Sequence, residues 1–357
     1  MSRKARLGFI GAGWWATANY MPLLAAREDV EMVAVCRLGT TELRQVQQAF
    51  GFRFATENAA ELVARTDLDG VLVTSPHTLH HEHARLALER GLHVLCDKPM
   101  CTRADHAQEL VDLARARNLH LLVPYGWHYK PFIQTARSWL QAGRIGAIQF
   151  ALCHMASPIR SLLQGHRFVT EGNSGQAGGA LFEPDPRTWA DPLVAGGGYA
   201  QAQLSHSTGL LSWLTGLVPE SVAAFMAAPD APVDLYDAIT VRFQGGAIGT
   251  VSGAGTVPPG GITAYQVDLR LFGSEGMLLL DCERARLELR RHDGQLESLS
   301  LAPDAGAYSC EGPPVNFVEL ILGKTAINHS PGAAALQSVR IIDAAYRSAA
   351  SGKVERA

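Results

Sequence analysis

The chain has 357 residues, 47% of them hydrophobic and 18% charged, with a formal net charge of -3. That length suits two domains better than one, and so even a balance offers no basic field for a nucleic-acid backbone. No apolar run approaches the roughly 20 residues that cross a bilayer, which argues against a membrane partner. The amino terminus, MSRKARLGFIGAGWW, enters a strand and a glycine turn in place of a cleavable signal, so a cytoplasmic protein is expected.

In chain order, short apolar runs alternate with amphipathic ones. ARLGFIG, MVAVC at 32–36, GVLVTSP at 70–76, HVLCDKP at 93–99 and HLLVPY at 120–125 read as strands. Between them, TTELRQVQQAF, HHEHARLALERG and TRADHAQELVDLARARN place apolar residues three and four apart and read as helices. The alternation predicts a doubly wound parallel sheet over 1–125, with right-handed crossovers. A helix follows at about 131–142, and then the period changes.

GAIQFALCHM, SVAAFMA, AITVRFQGG, AIGTVSGAG, YQVDLRLFGSEG, MLLLDC and ARLELRRHDG alternate with a period of two. They predict an α+β domain over 126–357 with a large, mainly antiparallel sheet. The polar, Gly- and Pro-rich stretch 157–198 is expected to be a loop covering a substrate. A last helix at about 333–350 is expected to cap either domain, packing back on the first. Cys36, Cys96, Cys101, Cys153, Cys282 and Cys310 lie too far from one another for a metal site, so reduced thiols and no metal are expected.

GAGWWA at 11–16 directly follows a predicted strand and opens a predicted helix, the context that gives G-x-G-x-x-G/A its meaning. Gly11 permits the tight turn, Gly13 lets backbone approach a pyrophosphate, and Ala16 permits close helix packing. The helix terminus offers its free N–H groups to the anion, so Gly11, Gly13, Trp14, Trp15 and Ala16 form the expected dinucleotide turn of a Rossmann domain. Where an NAD-binding domain places Asp or Glu for the ribose 2′-hydroxyl, this chain has Arg37 in VAVCRLGTT. A guanidinium suits a 2′-phosphate, so NADP is expected in preference to NAD.

With that turn, TSPHTLHHEHARLAL at 74–88, GLHVLCDKP at 91–99 and GGGYAQAQLSHSTGLLSWLTG at 196–216 resemble the Gfo/Idh/MocA oxidoreductases. GSEGMLLLD at 273–281 and the carboxy-terminal NFVELILG and IIDAAYRSAASGK extend the resemblance almost end to end. It implies hydride transfer between a nicotinamide and a hydroxyl or carbonyl of a sugar, polyol or related cyclic molecule. It also implies a homodimer or homotetramer formed through the second sheet.

The same resemblance assigns residues. Ser75, Pro76, His77 and His80 stand where the family reads TP, Asn and His, His77 replacing the Asn, and would line the nicotinamide side. Asp97-Lys98-Pro99 replaces Glu-Lys-Pro, making Lys98 the group that orients the substrate oxygen, beside cofactor-lining Asp97. His206 becomes the general base in oxidation and acid in reduction, being the side chain that titrates near neutrality.

The family's Asp four residues before that histidine is Ala202, and its Asp three residues after is Gly209. Gln203 shares the helix face of His206 and can bond a hydroxyl. Tyr125, Trp127, His128 and Tyr129 offer aromatic faces and polar tips for a sugar ring. Arg160, Trp189 and Asp191 belong to the covering loop. Two rivals remain open at this point: a glycosidase of the same fold that retains its nicotinamide, and a non-catalytic sugar-binding or regulatory protein.

Overall fold

The computed structural model describes residues 3–167, 181–258 and 264–357. Six parallel strands make the first sheet: β1 (Ala5–Ile10), β2 (Val30–Cys36), β3 (Phe54–Thr56), β4 (Gly70–Val73), β5 (His93–Cys96) and β6 (Leu121–Leu122). Their order is β3-β2-β1-β4-β5-β6. Helices cover both faces, so β1, β2 and β4 bury nearly every residue and their sequences run apolar without alternation. The chain winds outward from β1 to β3, then restarts at β4 on the other side, and this reversal opens a crevice at the carboxy ends of β1 and β4.

A late segment completes this core. Helix Gly312–Ile321 places Phe317, Val318, Leu320 and Ile321 among the buried residues of β1 and β2. Gly70 permits the approach, because a Cβ there would lie 2.8 Å from Ile321 and 2.9 Å from Phe317.

The second sheet has nine strands: β7 (Ile148–Ala156), β8 (Pro219–Ala227), β9 (Tyr236–Phe243), β10 (Ile248–Ala254), β11 (Gln266–Gly273), β12 (Gly276–Asp281), β13 (Arg286–Arg291), β14 (Leu296–Ser298) and β15 (Glu355–Arg356). The order is β14-β13-β12-β11-β7-β10-β9-β8-β15, antiparallel except for the parallel pair β7–β10. Helix Ser205–Thr215 beneath it is buried from Ser205 to Leu214 although half its residues are small and polar. Thr208, Ser212 and Thr215 turn their hydroxyls onto the carbonyls of Leu204, Thr208 and Leu211, which satisfies these three donors within the helix, whereas Ser205 Oγ and Trp213 Nε1 are buried without a partner among the described residues.

Helix Gly332–Ser351 touches β8, helix Ser205–Thr215 and helix Ala104–Ala116, and so packs on both domains at once. The stretch 157–198 is not the plain loop its composition predicts. It carries short helices at Arg160–Leu163, Arg187–Ala190 and Pro192–Ala195, the last capped by the Asp191 carboxylate on Leu193 N at 2.9 Å, while 168–180 lie outside the described residues. Among the described residues no helix is long and apolar enough to cross a membrane.

Candidate active site

A cleft of 810 Å³ runs between the carboxy ends of the parallel strands and the second domain. Its floor at one end is the glycine turn. Gly11 has φ +95°, and a Cβ there would fall 2.4 Å from Ser75 N and Thr74 C, so only glycine lets β1 turn against β4. A Cβ on Gly13 would meet nothing within 4 Å, and Gly13 lines the cleft, which leaves the bare backbone that a pyrophosphate requires. Ala16 is buried against the first-domain core, while Trp14 and Trp15 line the cleft edge to face at 5.6 Å. The turn therefore fits a dinucleotide.

Arg37 lies at the same end. Its Nη1 donates to Ala12 O at 2.8 Å and its Nε to Leu38 O at 3.1 Å, which fixes the guanidinium plane over the turn. Of five N–H donors this uses two.

Three histidines project from the chain after β4. His77 and Ala195 O lie 3.0 Å apart through Nδ1, and burial holds the ring neutral, its pKa pushed down to about 3. His80 is buried with Nδ1 2.7 Å from Pro99 O and Nε2 2.7 Å from Ser75 O, between the turns after β4 and β5, and its neutral ring donates to one of these two carbonyls at a time. His83, which the sequence reading passed over, meets the Ser75 hydroxyl at 2.9 Å. Pro76 completes this wall.

Deeper in, Lys98 and His206 reach the cleft from opposite domains. Lys98 Nζ donates to Ala202 O at 2.9 Å, across the π-helical turn Ala200–Leu204 that precedes helix Ser205–Thr215. The main-chain oxygen thus accepts at the position where the resemblance expects a carboxylate. Burial lowers the Lys98 pKa and neighbouring Asp97 partly restores it. Asp97 is itself buried, which raises its pKa, and its Oδ1 accepts from Lys98 N at 2.8 Å.

His206 is 5% exposed and ringed by Trp127 at 5.6 Å, Tyr308 at 5.2 Å and Tyr125 at 6.0 Å. Its Nδ1 is sealed without a partner among the described residues, leaving Nε2 for the cleft. Burial above all, then the Lys98 and His128 charges, push its pKa well below the ordinary histidine value, so the ring is neutral. Gln203 lines the cleft beside it.

Not every expected residue arrives. Tyr125 and His128 lie in the core: Tyr125 rests on Gly209, where a Cβ would fall 2.6 Å from its ring, and His128 stacks on Trp213 at 4.4 Å and 10°. The absent side chain at 209 is the reason Tyr125 sinks away from the cleft. Tyr129 turns to Asn316 Oδ1 at 3.0 Å, and Arg160 points to Asp230 at 3.9 Å. None of these four lines the cleft, so the substrate contacts expected of them are not formed from these positions.

Trp127, Trp189 and Asp191 do line it, joined by Phe182, Tyr265 and Tyr308. Phe182 and Tyr308 come from irregular segments whose sequences carry no periodic signal, and Tyr265 stands immediately before β11.

Residues 5–125 match the oxidoreductase family with an NAD-binding Rossmann fold, GFO_IDH_MocA, and residues 133–279 match the GFO/IDH/MocA C-terminal domain. The chain belongs to the Gfo/Idh/MocA oxidoreductases. Its curated relatives include D-glucoside 3-dehydrogenase of Escherichia coli (strain K12), 30% identical over 149 residues, 41% of this chain and 42% of that one. Another is the dTDP-3,4-didehydro-2,6-dideoxy-alpha-D-glucose 3-reductase of Streptomyces violaceoruber, 32% identical, covering 44% of this chain and 46% of that one. The chain thus matches less than half the length of either.

The Gfo/Idh/MocA fold itself extends over the whole molecule. Levoglucosan dehydrogenase in complex with NADH and levoglucosan superposes with a TM-score of 0.76 over 99% of both chains, at 18% identity.

Proposed function

We propose that this protein is an NAD(P)-dependent oxidoreductase acting on a hydroxyl or carbonyl of a sugar, polyol or related cyclic molecule. The observation that carries the reading is the meeting of Lys98 and His206 in the cleft that begins at the glycine turn. The curated relatives named for sugar dehydrogenation and reduction, and the neighbour that holds NADH with a sugar, support the substrate class. NADP is the preferred cofactor, because Arg37 supplies a pinned guanidinium where a carboxylate would mark NAD.

Gly11, Gly13, Trp14 and Arg37 would hold the dinucleotide at one end, with Ser75, Pro76, His77 and Lys98 along its nicotinamide half. When bound, the nicotinamide supplies the acceptor or donor of hydride. The chain supplies the rest. In oxidation, neutral His206 takes the hydroxyl proton at Nε2, and Lys98 stabilises the oxygen as negative charge develops on it. Trp127, Trp189 and Tyr308 shield the reacting atoms from water and offer faces to a ring-shaped substrate. In reduction the proton returns from His206 to the nascent alkoxide.

Two further readings accompany this one. The protein acts in the cytoplasm, in keeping with six cysteines that are all unpaired. It works as a homodimer or homotetramer through the outer face of the nine-stranded sheet.

The test is a fluorescence titration with NADPH and NADH, followed by a screen of sugars and polyols for reduced-nicotinamide absorbance. Tighter NADPH binding and turnover that falls by ~10²–10³ in Lys98→Ala, as for loss of one preorganised charge-stabilising group, is the expected result. Failure to bind either nucleotide would end the proposal.

A further inference from the structure

The second domain lays one segment, 181–195, along the entire cleft. Near its start the Phe182 ring lies 4.3 Å from the Arg37 guanidinium carbon and packs against the first-domain core together with Trp15. Midway, Trp189 stands 5.9 Å from Lys98 Nζ. At its end, Thr78 donates its hydroxyl to Val194 O at 3.1 Å, and His77 meets Ala195 O. The segment is therefore fixed to the first domain beside the expected nicotinamide and touches it again at the opposite, adenosine end.

Two of its three carboxylates are held in ion pairs. Glu183 and Asp185 line the cleft, yet each is neutralised within reach of the same segment, Glu183 by Arg167 through a bond of 2.8 Å and Asp185 by Arg187 at 2.8 Å. The third carboxylate of the segment, Asp191, lines the nicotinamide end of the cleft and accepts from Leu193 N at 2.9 Å.

We propose that 181–195 is a clasp that holds the dinucleotide in its cleft and that Phe182 is its catch, acting as a positioning residue for Arg37. Two carbonyls fix the edges of the guanidinium, and the Phe182 ring fixes its face, so three N–H bonds stay aimed at the 2′ side of the cofactor. Cofactor release then requires Phe182 to leave Arg37. The inference rests on the dinucleotide reading of the cleft.

The experiment is stopped-flow release of NADPH and NADH from the full-length protein and from Phe182→Ala, Phe182→Leu and Phe182→Tyr. Phe182→Ala and Phe182→Leu are expected to release NADPH roughly 3- to 30-fold faster, the span that one cation–π contact accounts for, with NADH affected less. Phe182→Tyr, which keeps the ring, is expected to restore the native rate. Leucine retains an apolar side chain and so guards against a folding defect in the alanine variant. Release of NADPH unchanged in Phe182→Leu, or equal acceleration of both nucleotides, would overturn the assignment of the catch. A native protein that binds neither nucleotide would instead overturn the reading of the cleft.

Discussion

At the scale of single residues, the chemistry turns on how two cationic groups are kept from being what they are in water. Lys98 is half-buried and bonded to an uncharged carbonyl, so no ion pair consumes its charge, and the carboxylate that acts on it is that of its own neighbour, Asp97. His206 faces that charge and is itself buried, and both effects favour the neutral ring. A neutral ring is the form that accepts a proton. Oxidation should therefore stay near full rate as pH falls through 6.5, the ordinary value, and decline only below it, with the acid limb abolished in His206→Asn. A profile of kcat/KM against pH checks this. A limb centred at or above 6.5 would show that His206 is not the base, or that its surroundings do not depress it.

At the scale of elements, the glycine turn separates a residue needed for folding from one needed for binding. Gly11 has a positive φ and the backbone of Thr74 and Ser75, just after β4, pressed against it, whereas the space beside Gly13 is open cleft. Gly13→Ala should therefore fold with its thermal midpoint nearly unchanged and yet bind nucleotide at least about tenfold more weakly, since the added methyl occupies the approach of the pyrophosphate. Thermal unfolding and a fluorescence titration on the same sample check both halves. Unchanged affinity would mean that the phosphates lie elsewhere.

The turn was legible in the sequence because its meaning is local: three small residues, a strand before and a helix after. The strand β3 was not. Its three residues, FAT, are too few to establish a period, and its place is set by pairing with Ala34–Cys36 of β2. Tyr308 was hidden for a related reason, since its position beside His206 depends on the fold of an irregular segment a hundred residues away. The converse error was Tyr125 and His128, whose polar tips resembled a sugar site. The burial of Tyr125 follows from what helix Ser205–Thr215 lacks at Gly209, and that of His128 from its stacking on Trp213, contacts no local pattern encodes.

At the scale of the molecule, the nine-stranded sheet is covered on one face only among the described residues. On the other, Ile248 pairs with Phe150, Phe150 with Phe272, and Phe272 with Met277, forming one apolar row across β10, β7, β11 and β12. Arg242 and Arg290 stand at its two ends, opposite Ile248 and Met277. Ile248 is 45% and Phe272 39% exposed, and Phe225 on β8 is 86% exposed. An apolar centre with charged ends is the anatomy of a subunit interface, and a two-fold axis through the row would set it against itself. The protein should sediment as a dimer or tetramer. Ile248→Glu, which puts one carboxylate per subunit into that apolar row at its Arg242 end, should shift it toward monomer while leaving the thermal midpoint of the monomer close to native, because the side chain is already half exposed and supports no core. Sedimentation velocity on both proteins decides the matter. A native protein that is monomeric at every concentration tested would remove this face as an interface, and an assembly undisturbed by Ile248→Glu would place the contact on another surface.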